Sequence, residues 1–343
     1  MLLMFLGLIC FAVLAILRRD LALYLIVLLL PTYQIRFSIL GIPATFLEGM
    51  ILILAAASLL PLPRRERIEV RGRLTANKWT IVFISFFLLA AFISVFTSPN
   101  LTAAAGIFKA YFFEAVLFSF LVMLIIDSSE KLQRLYKTLA LLVLYLSIFG
   151  IYQFITLYNL PFNWWAVDVE SRRIISLLNH PNALALLIGP ILAMLIMLRG
   201  SQKSVLYWSA IILGLVALYL SFSRASWLAL LVTVIGITII HHRSPSPPLR
   251  VRGGWGALLL SIIVILVLTI PFSRAKLLDL ARGRDLSQQN RYVLWSAAGD
   301  ILKNSPITGT GLAGFREAYK NYPLGPDLVV QNYPHNFFLN FWT

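Results

Sequence analysis

Residues 182–198 read NALALLIGPILAMLIML, a run with no charged side chain. A helix crosses the hydrocarbon core of a bilayer with roughly 20 apolar residues, within a range of about 17–25. A helix on the surface of a soluble domain would interrupt such a run with a polar stripe. Gly189-Pro190 interrupts the run, and membrane helices tolerate both residue types. Working outward, comparable apolar runs fall at 1–17, 21–40, 44–62, 79–97, 107–126 and 138–158 on one side, and at 205–221, 226–241 and 255–272 on the other. The chain therefore reads as an all-α, polytopic integral membrane protein with about ten transmembrane helices. Residues 1–272 form the bundle, and 273–343 an external, helical loop.

Composition agrees. Hydrophobic residues make up 59% of the 343 and charged residues 13%, against about 45–50% and about 25% in soluble domains. The net charge of +15 does not indicate nucleic acid, because the positive residues sit in short clusters between apolar runs. An anionic lipid headgroup or a diphosphate is the expected partner. Met1–Leu17 carries its charges, Arg18-Arg19-Asp20, after the apolar run, the reverse of a secretory signal. Cys10 is the lone cysteine and has no partner for a disulfide. One alternate set of connections holds 16 of the 29 Lys and Arg and the opposite short connections hold five. The first set is read as cytoplasmic and the last segment as outside. Lys109 and Glu114 suggest that the fifth run begins as an amphipathic helix at the interface.

The external face gathers arginines. Arg172-Arg173 precede Asn179-His180-Pro181-Asn182, Arg224 stands in a short turn between two apolar runs, and Arg291 opens Arg291-Tyr292-Val293-Leu294-Trp295. Arginine near membrane depth costs a few kcal/mol on insertion scales and is normally paired or functional. Five N–H donors in a fixed fork suit a diphosphate, while snorkelling to headgroups is the alternative for Arg224. Arg291 and Trp295 share a helix face, where a cation–π contact is the structural alternative. His180-Pro181-Asn182 lies where a helix begins, so His180 either caps or serves the site. His335-Asn336 precedes an aromatic run, and a histidine there is a natural general base. Gly309-Thr310-Gly311-Leu312-Ala313-Gly314 spells a dinucleotide fingerprint, but no buried strand precedes it. It reads as a turn that lets the loop pack closely, or else offers N–H groups to an anion. His241-His242 lack the spacing of a metal pair. No metal or other cofactor is expected.

Asn179-His180-Pro181-Asn182-Ala183-Leu184-Ala185, Ser223-Arg224-Ala225, Arg291 with Trp295, Ser305-Pro306-Ile307-Thr308-Gly309-Thr310-Gly311 and His335-Asn336-Phe337-Phe338-Leu339-Asn340 occur in this order. Together they resemble the O-antigen ligase and polymerase family of bacterial envelope glycosyltransferases. The resemblance covers about 170–340 and reaches the first 160 residues only in hydropathy. It implies a multi-pass protein of the inner membrane, with the C-type glycosyltransferase architecture and its active face in the periplasm. It also implies metal-independent, inverting transfer of a glycan from undecaprenyl diphosphate to a glycan or lipid-linked acceptor, in lipopolysaccharide or other cell-envelope polysaccharide biosynthesis. By position Arg224 and Arg291 are the arginines for the donor diphosphate, and Arg173 is taken with them. His335 is the base, with Asn336, Trp295, His180 and Asn182 in support. Family members continue with further membrane helices after His-Asn, so the chain is expected to be a truncated form, ending in a short helix at the outer rim. A polymerase that joins lipid-linked repeats is the alternative within the enzyme class. A lipid-glycan flippase is the alternative outside it, motivated by Gly189-Pro190.

Overall fold

The computed structural model describes residues 2–39, 42–60, 78–165, 172–198, 204–243, 286–320, 322, 333–336, 338 and 339. The run expected to span at 255–272, the linker around Arg64–Arg73, the side chains of His241 and His242, and Phe341-Trp342-Thr343 lie outside that description. In chain order the helices are α1 (Leu2–Leu17), α2 (Arg19–Leu28), α3 (Phe46–Leu59), α4 (Lys78–Phe96), α5 (Leu101–Ile125), α6 (Ser129–Thr156), α7 (Pro181–Leu198), α8 (Val205–Leu220), α9 (Arg224–Arg243), α10 (Leu286–Asn304) and α11 (Gly314–Lys320). Among the described residues four helices, α4 to α7, are long and apolar enough to cross a membrane. Helices α1, α3, α8 and the first part of α9 are apolar but shorter. The ten crossings read from the sequence thus reduce, where described, to four of full length and four shorter ones.

The expected helix over 21–40 is corrected. Helix α2 stops at Leu28, and Pro31 sits in a 3-10 turn, Leu30–Gln34. An antiparallel hairpin follows, β1 (Arg36–Ile39) with β2 (Ile42–Thr45), in which Arg36 faces Thr45. Pro31 explains the break, since it removes a helical N–H and clashes with the preceding turn. Thr45 then starts α3 with a capping box: its side chain accepts from Glu48 N at 3.1 Å, and Glu48 Oε2 accepts from Thr45 N at 3.2 Å.

Helix α5 also differs from expectation. It begins at Leu101 rather than 107, with Asn100 Oδ1 accepting from Ala103 N at 3.0 Å, and it widens into a π-helical turn at Phe108–Phe113. Lys109, half-buried, is tied to neighbouring elements. Its Nζ lies 2.7 Å from Glu48 Oε1 and donates to Pro43 O at 2.8 Å, which fastens the hairpin to α5. Helix α7 runs unbroken through Pro190, so the interruption that motivated a flippase is absent.

The main core lies between α6, α7, α8 and α9, with Leu142, Val143, Leu146, Leu184, Ile188, Leu192, Ala210 and Leu218 buried in it. Gly214 marks the closest approach: a Cβ there would stand 2.6 Å from Leu192 Cδ2 and 2.8 Å from Val143 Cγ1. A second cluster joins α1, α2 and α3 to the end of α5 through Phe11, Leu23, Met50, Leu54 and Leu121. A third belongs to the C-terminal segment, where Leu294, Ala297 and Ala298 of α10 pack on Phe315 and Tyr319 of α11. One end of the bundle is rich in Lys and Arg, with Arg19 donating to Leu60 O and Arg134 beside Asp20. The other end collects the chain turns that carry the candidate site.

Candidate active site

The site begins with a loop that the bundle grips tightly. Helix α6 ends at Thr156 with Leu157 as its C-cap, and residues 172–180 lead into α7. Gln153, fully buried near the end of α6, donates Nε2–H to Ser176 O at 3.0 Å and to Asn159 O at 3.2 Å. Its Oε1 accepts from Ser176 N at 2.8 Å. Ser176 Oγ donates to Leu146 O at 2.7 Å, and Ser176 holds φ 55°, a left-handed conformation that costs a non-glycine residue about 1–2 kcal/mol. Gly150 leaves room for Ile174, whose Cδ1 would stand 2.7 Å from a Cβ there. Ile174 N donates to Leu220 O at 3.2 Å, which joins this loop to the turn after α8.

That junction positions Arg173. Its Nε donates to Ser221 O at 2.9 Å and its Nη2 to Asn182 Oδ1 at 2.9 Å. The guanidinium lies over the Trp164 ring, 5.3 Å from the centroid. Three of its five N–H bonds remain for other acceptors. Arg224 is the first residue of α9, reached through a turn in which Phe222 has φ 50° and Ser223 Oγ lies 3.1 Å from Ser226 Oγ. A cation at a helix N-terminus opposes the helix dipole. Burial, and then the charge of Arg224, lower the Arg173 pKa from its ordinary value. An anion between them would relieve both repulsions.

His180 is the N-cap of α7. Its Nδ1 accepts from Asn182 N at 3.0 Å, and its carbonyl accepts from Ala183 N at 3.0 Å. The ring meets Trp164 edge-on at 4.9 Å. Burial, Arg173 and His335 in that order push its pKa below the ordinary histidine value. His335 is therefore near enough to His180 to act on its charge.

His335 is set by its neighbours. Trp295 of α10 donates its indole N–H to Pro334 O at 3.0 Å. The Tyr333 ring stands edge-on to the imidazole at 4.6 Å, and His335 itself has φ 53°. Asn336 Oδ1 accepts from Leu339 N at 3.2 Å, starting the helical pair 338–339. Burial, and then Arg291, hold the His335 pKa below its usual value. Electrostatic influence thus runs from Arg224 to Arg173, His180, His335 and Arg291.

Trp295 fixes the residue before the candidate base through its indole N–H. Trp164 and Gln153 were missed by sequence reasoning. An aromatic beside an arginine in space, or a glutamine reaching across a loop, leaves no spacing signal. The Gly-rich turn takes the packing alternative. Gly311, with φ 77°, sits against the end of α4, where a Cβ would meet Ser98 N at 2.6 Å and Ser94 O at 2.8 Å. Leu312 N donates to Ser94 O at 3.2 Å and Ser94 Oγ at 3.1 Å, while Gly309 N and Gly314 N bond to backbone carbonyls. Those N–H groups are spent within the protein and do not form an anion nest.

Residues 209–343 match the family model described as O-antigen ligase. The match includes Arg224, Arg291, Trp295, His335 and Asn336, and begins after Arg173, His180 and Asn182. No curated protein and no solved structure matches the chain.

Proposed function

Since its residues 209–343 match the family model described as O-antigen ligase, we propose that this membrane protein transfers a glycan from undecaprenyl diphosphate to an acceptor hydroxyl at the arginine-lined end of the bundle. His335 removes the proton from the acceptor hydroxyl as that oxygen attacks the anomeric carbon. The bond from that carbon to the diphosphate oxygen breaks, its electron pair leaves with the diphosphate, and the configuration inverts. Arg173, Arg224 and Arg291 neutralise charge that grows on the departing group, which is where fixed donors accelerate a reaction most. A diphosphate so neutralised is a competent leaving group.

The observation that carries this reading is geometric: Arg173 bonds Ser221 O in the turn before Arg224 and Asn182 Oδ1 beside His180, while Trp295, on the helix of Arg291, bonds Pro334 O next to His335, and His335 is among the causes that lower the His180 pKa. A general base must share its substrate with the groups that hold the leaving group. The depressed pKa of His335 suits it to the task, because a neutral imidazole is available at neutral pH.

Ligase and polymerase use one chemistry and differ in acceptor. We favour the ligase, in line with the description of the matching family. Reconstitution with lipid-linked repeat units alone tests the choice. Silence until a second, different acceptor is supplied is expected, whereas chain growth from the repeats alone makes the protein a polymerase.

A further inference from the structure

We propose that His180 gives the site a neutral hydrogen-bond donor, its Nε2–H, to a phosphate oxygen of the lipid diphosphate, and is not a second base. This rests on the diphosphate reading of the same site. The bond from Asn182 N to Nδ1 at 3.0 Å occupies that nitrogen's lone pair. In the neutral ring the proton must then sit on Nε2, and that nitrogen is a donor only. Becoming a base would mean protonating Nδ1 and breaking the cap on α7. His180 is nonetheless exposed, so a ligand can reach it.

Its surroundings select what it donates to. Trp164 holds the imidazole edge-on at 4.9 Å and carries the Arg173 guanidinium on its face at 5.3 Å. Arg173 in turn binds Asn182, the residue whose N–H caps onto His180. Ring, guanidinium and helix start are thus one assembly, and a donor beside a fixed guanidinium is matched to an anionic oxygen. The shift of the His180 pKa below its ordinary value, by burial and by the charges of Arg173 and His335, keeps the ring neutral for this role. Capping and donation are thus coupled through one ring, because the bond at Nδ1 fixes the proton on Nε2.

A variant that keeps the cap and removes the donor separates the two. Serine is among the strongest N-caps, so His180→Ser retains α7 while Nε2–H is lost. The full chain in nanodiscs is titrated with undecaprenyl diphosphate, with undecaprenyl monophosphate and with inorganic diphosphate, in discs with and without phosphatidylglycerol. A hydrogen bond to a charged group predicts undecaprenyl diphosphate binding at least ~10-fold weaker in His180→Ser. Melting temperature should stay unchanged, and His180→Gln, whose amide nitrogen lies near the place of Nε2, should recover part of the loss. Equal binding by wild type and His180→Ser overturns the inference alone and leaves His180 as a cap. Wild type that binds none of the probes overturns the diphosphate reading together with the inference. Competition by phosphatidylglycerol equal to that of the diphosphate would make the site one for ordinary anionic headgroups and would also overturn it.

Discussion

In the proposed mechanism His335 and the three arginines carry the chemistry at the scale of single residues, and each makes a separable prediction. His335→Ala removes the base, so transfer should fall by roughly 10²–10⁴-fold while donor binding persists. Single-turnover kinetics beside a binding titration check both halves. The pH dependence follows from the depressed His335 pKa. The base is active when unprotonated, so kcat/KM should be level at neutral pH and fall as pH drops through that lowered value. Arg291→Gln removes a positive neighbour, lets the pKa rise, and should move the acidic limb to higher pH. Arg291→Lys keeps the charge and should leave the limb in place. A limb unmoved in both variants would mean that Arg291 does not act on the base. Lysine at Arg173 retains charge yet cannot reproduce the paired bonds to Ser221 O and Asn182 Oδ1, so activity should drop at least about tenfold. Near-normal rates would mean that charge alone is sufficient there.

At the scale of elements, the site depends on how loops are fixed to helices. Gln153 joins α6 to the loop of Arg173 through three hydrogen bonds. Gln153→Leu leaves Ser176 N–H and C=O buried without partners, about 1–3 kcal/mol for each unpaired group. Thermal unfolding should register the loss, and activity should fall with it. Gly311→Ala places a methyl against Ser98 N and Ser94 O at a positive φ. The C-terminal segment should lift from α4, which limited proteolysis around Arg316 would report as faster cleavage than in wild type. These attachments explain what the sequence showed and what it hid. Apolar runs exposed α4, α6 and α7, and Ser305-Pro306 follows the end of α10 at Asn304. The hairpin at 36–45 was concealed because hydropathy counts Ile and Phe alike in strand or helix, although Pro31, Pro43 and the Thr45–Glu48 capping box were its readable signals. The π turn of α5 answers to Lys109 pairing with Glu48, a contact across 61 positions of chain that no local pattern encodes.

For the whole molecule, the arrangement sets a polar site at one end of an apolar bundle. Arg173 and His335, 162 positions apart, were nominated by type and by family resemblance, and no local pattern of the sequence relates them. A flippase would instead carry its ionisable groups along a pathway through the bundle, and the continuity of α7 through Pro190 removes one motive for that alternative. The claim that this end of the bundle is a transferase site can be tested in a single assay. Proteoliposomes containing the full chain are given a labelled undecaprenyl-diphosphate-linked glycan and an acceptor, and both the label's chemical linkage and its side of the membrane are followed. Wild type should form a new glycosidic bond of inverted configuration and release undecaprenyl diphosphate, and His335→Ala should do neither. Label that crosses the membrane still joined to its lipid, or an equal yield of the new bond from His335→Ala, would contradict the account.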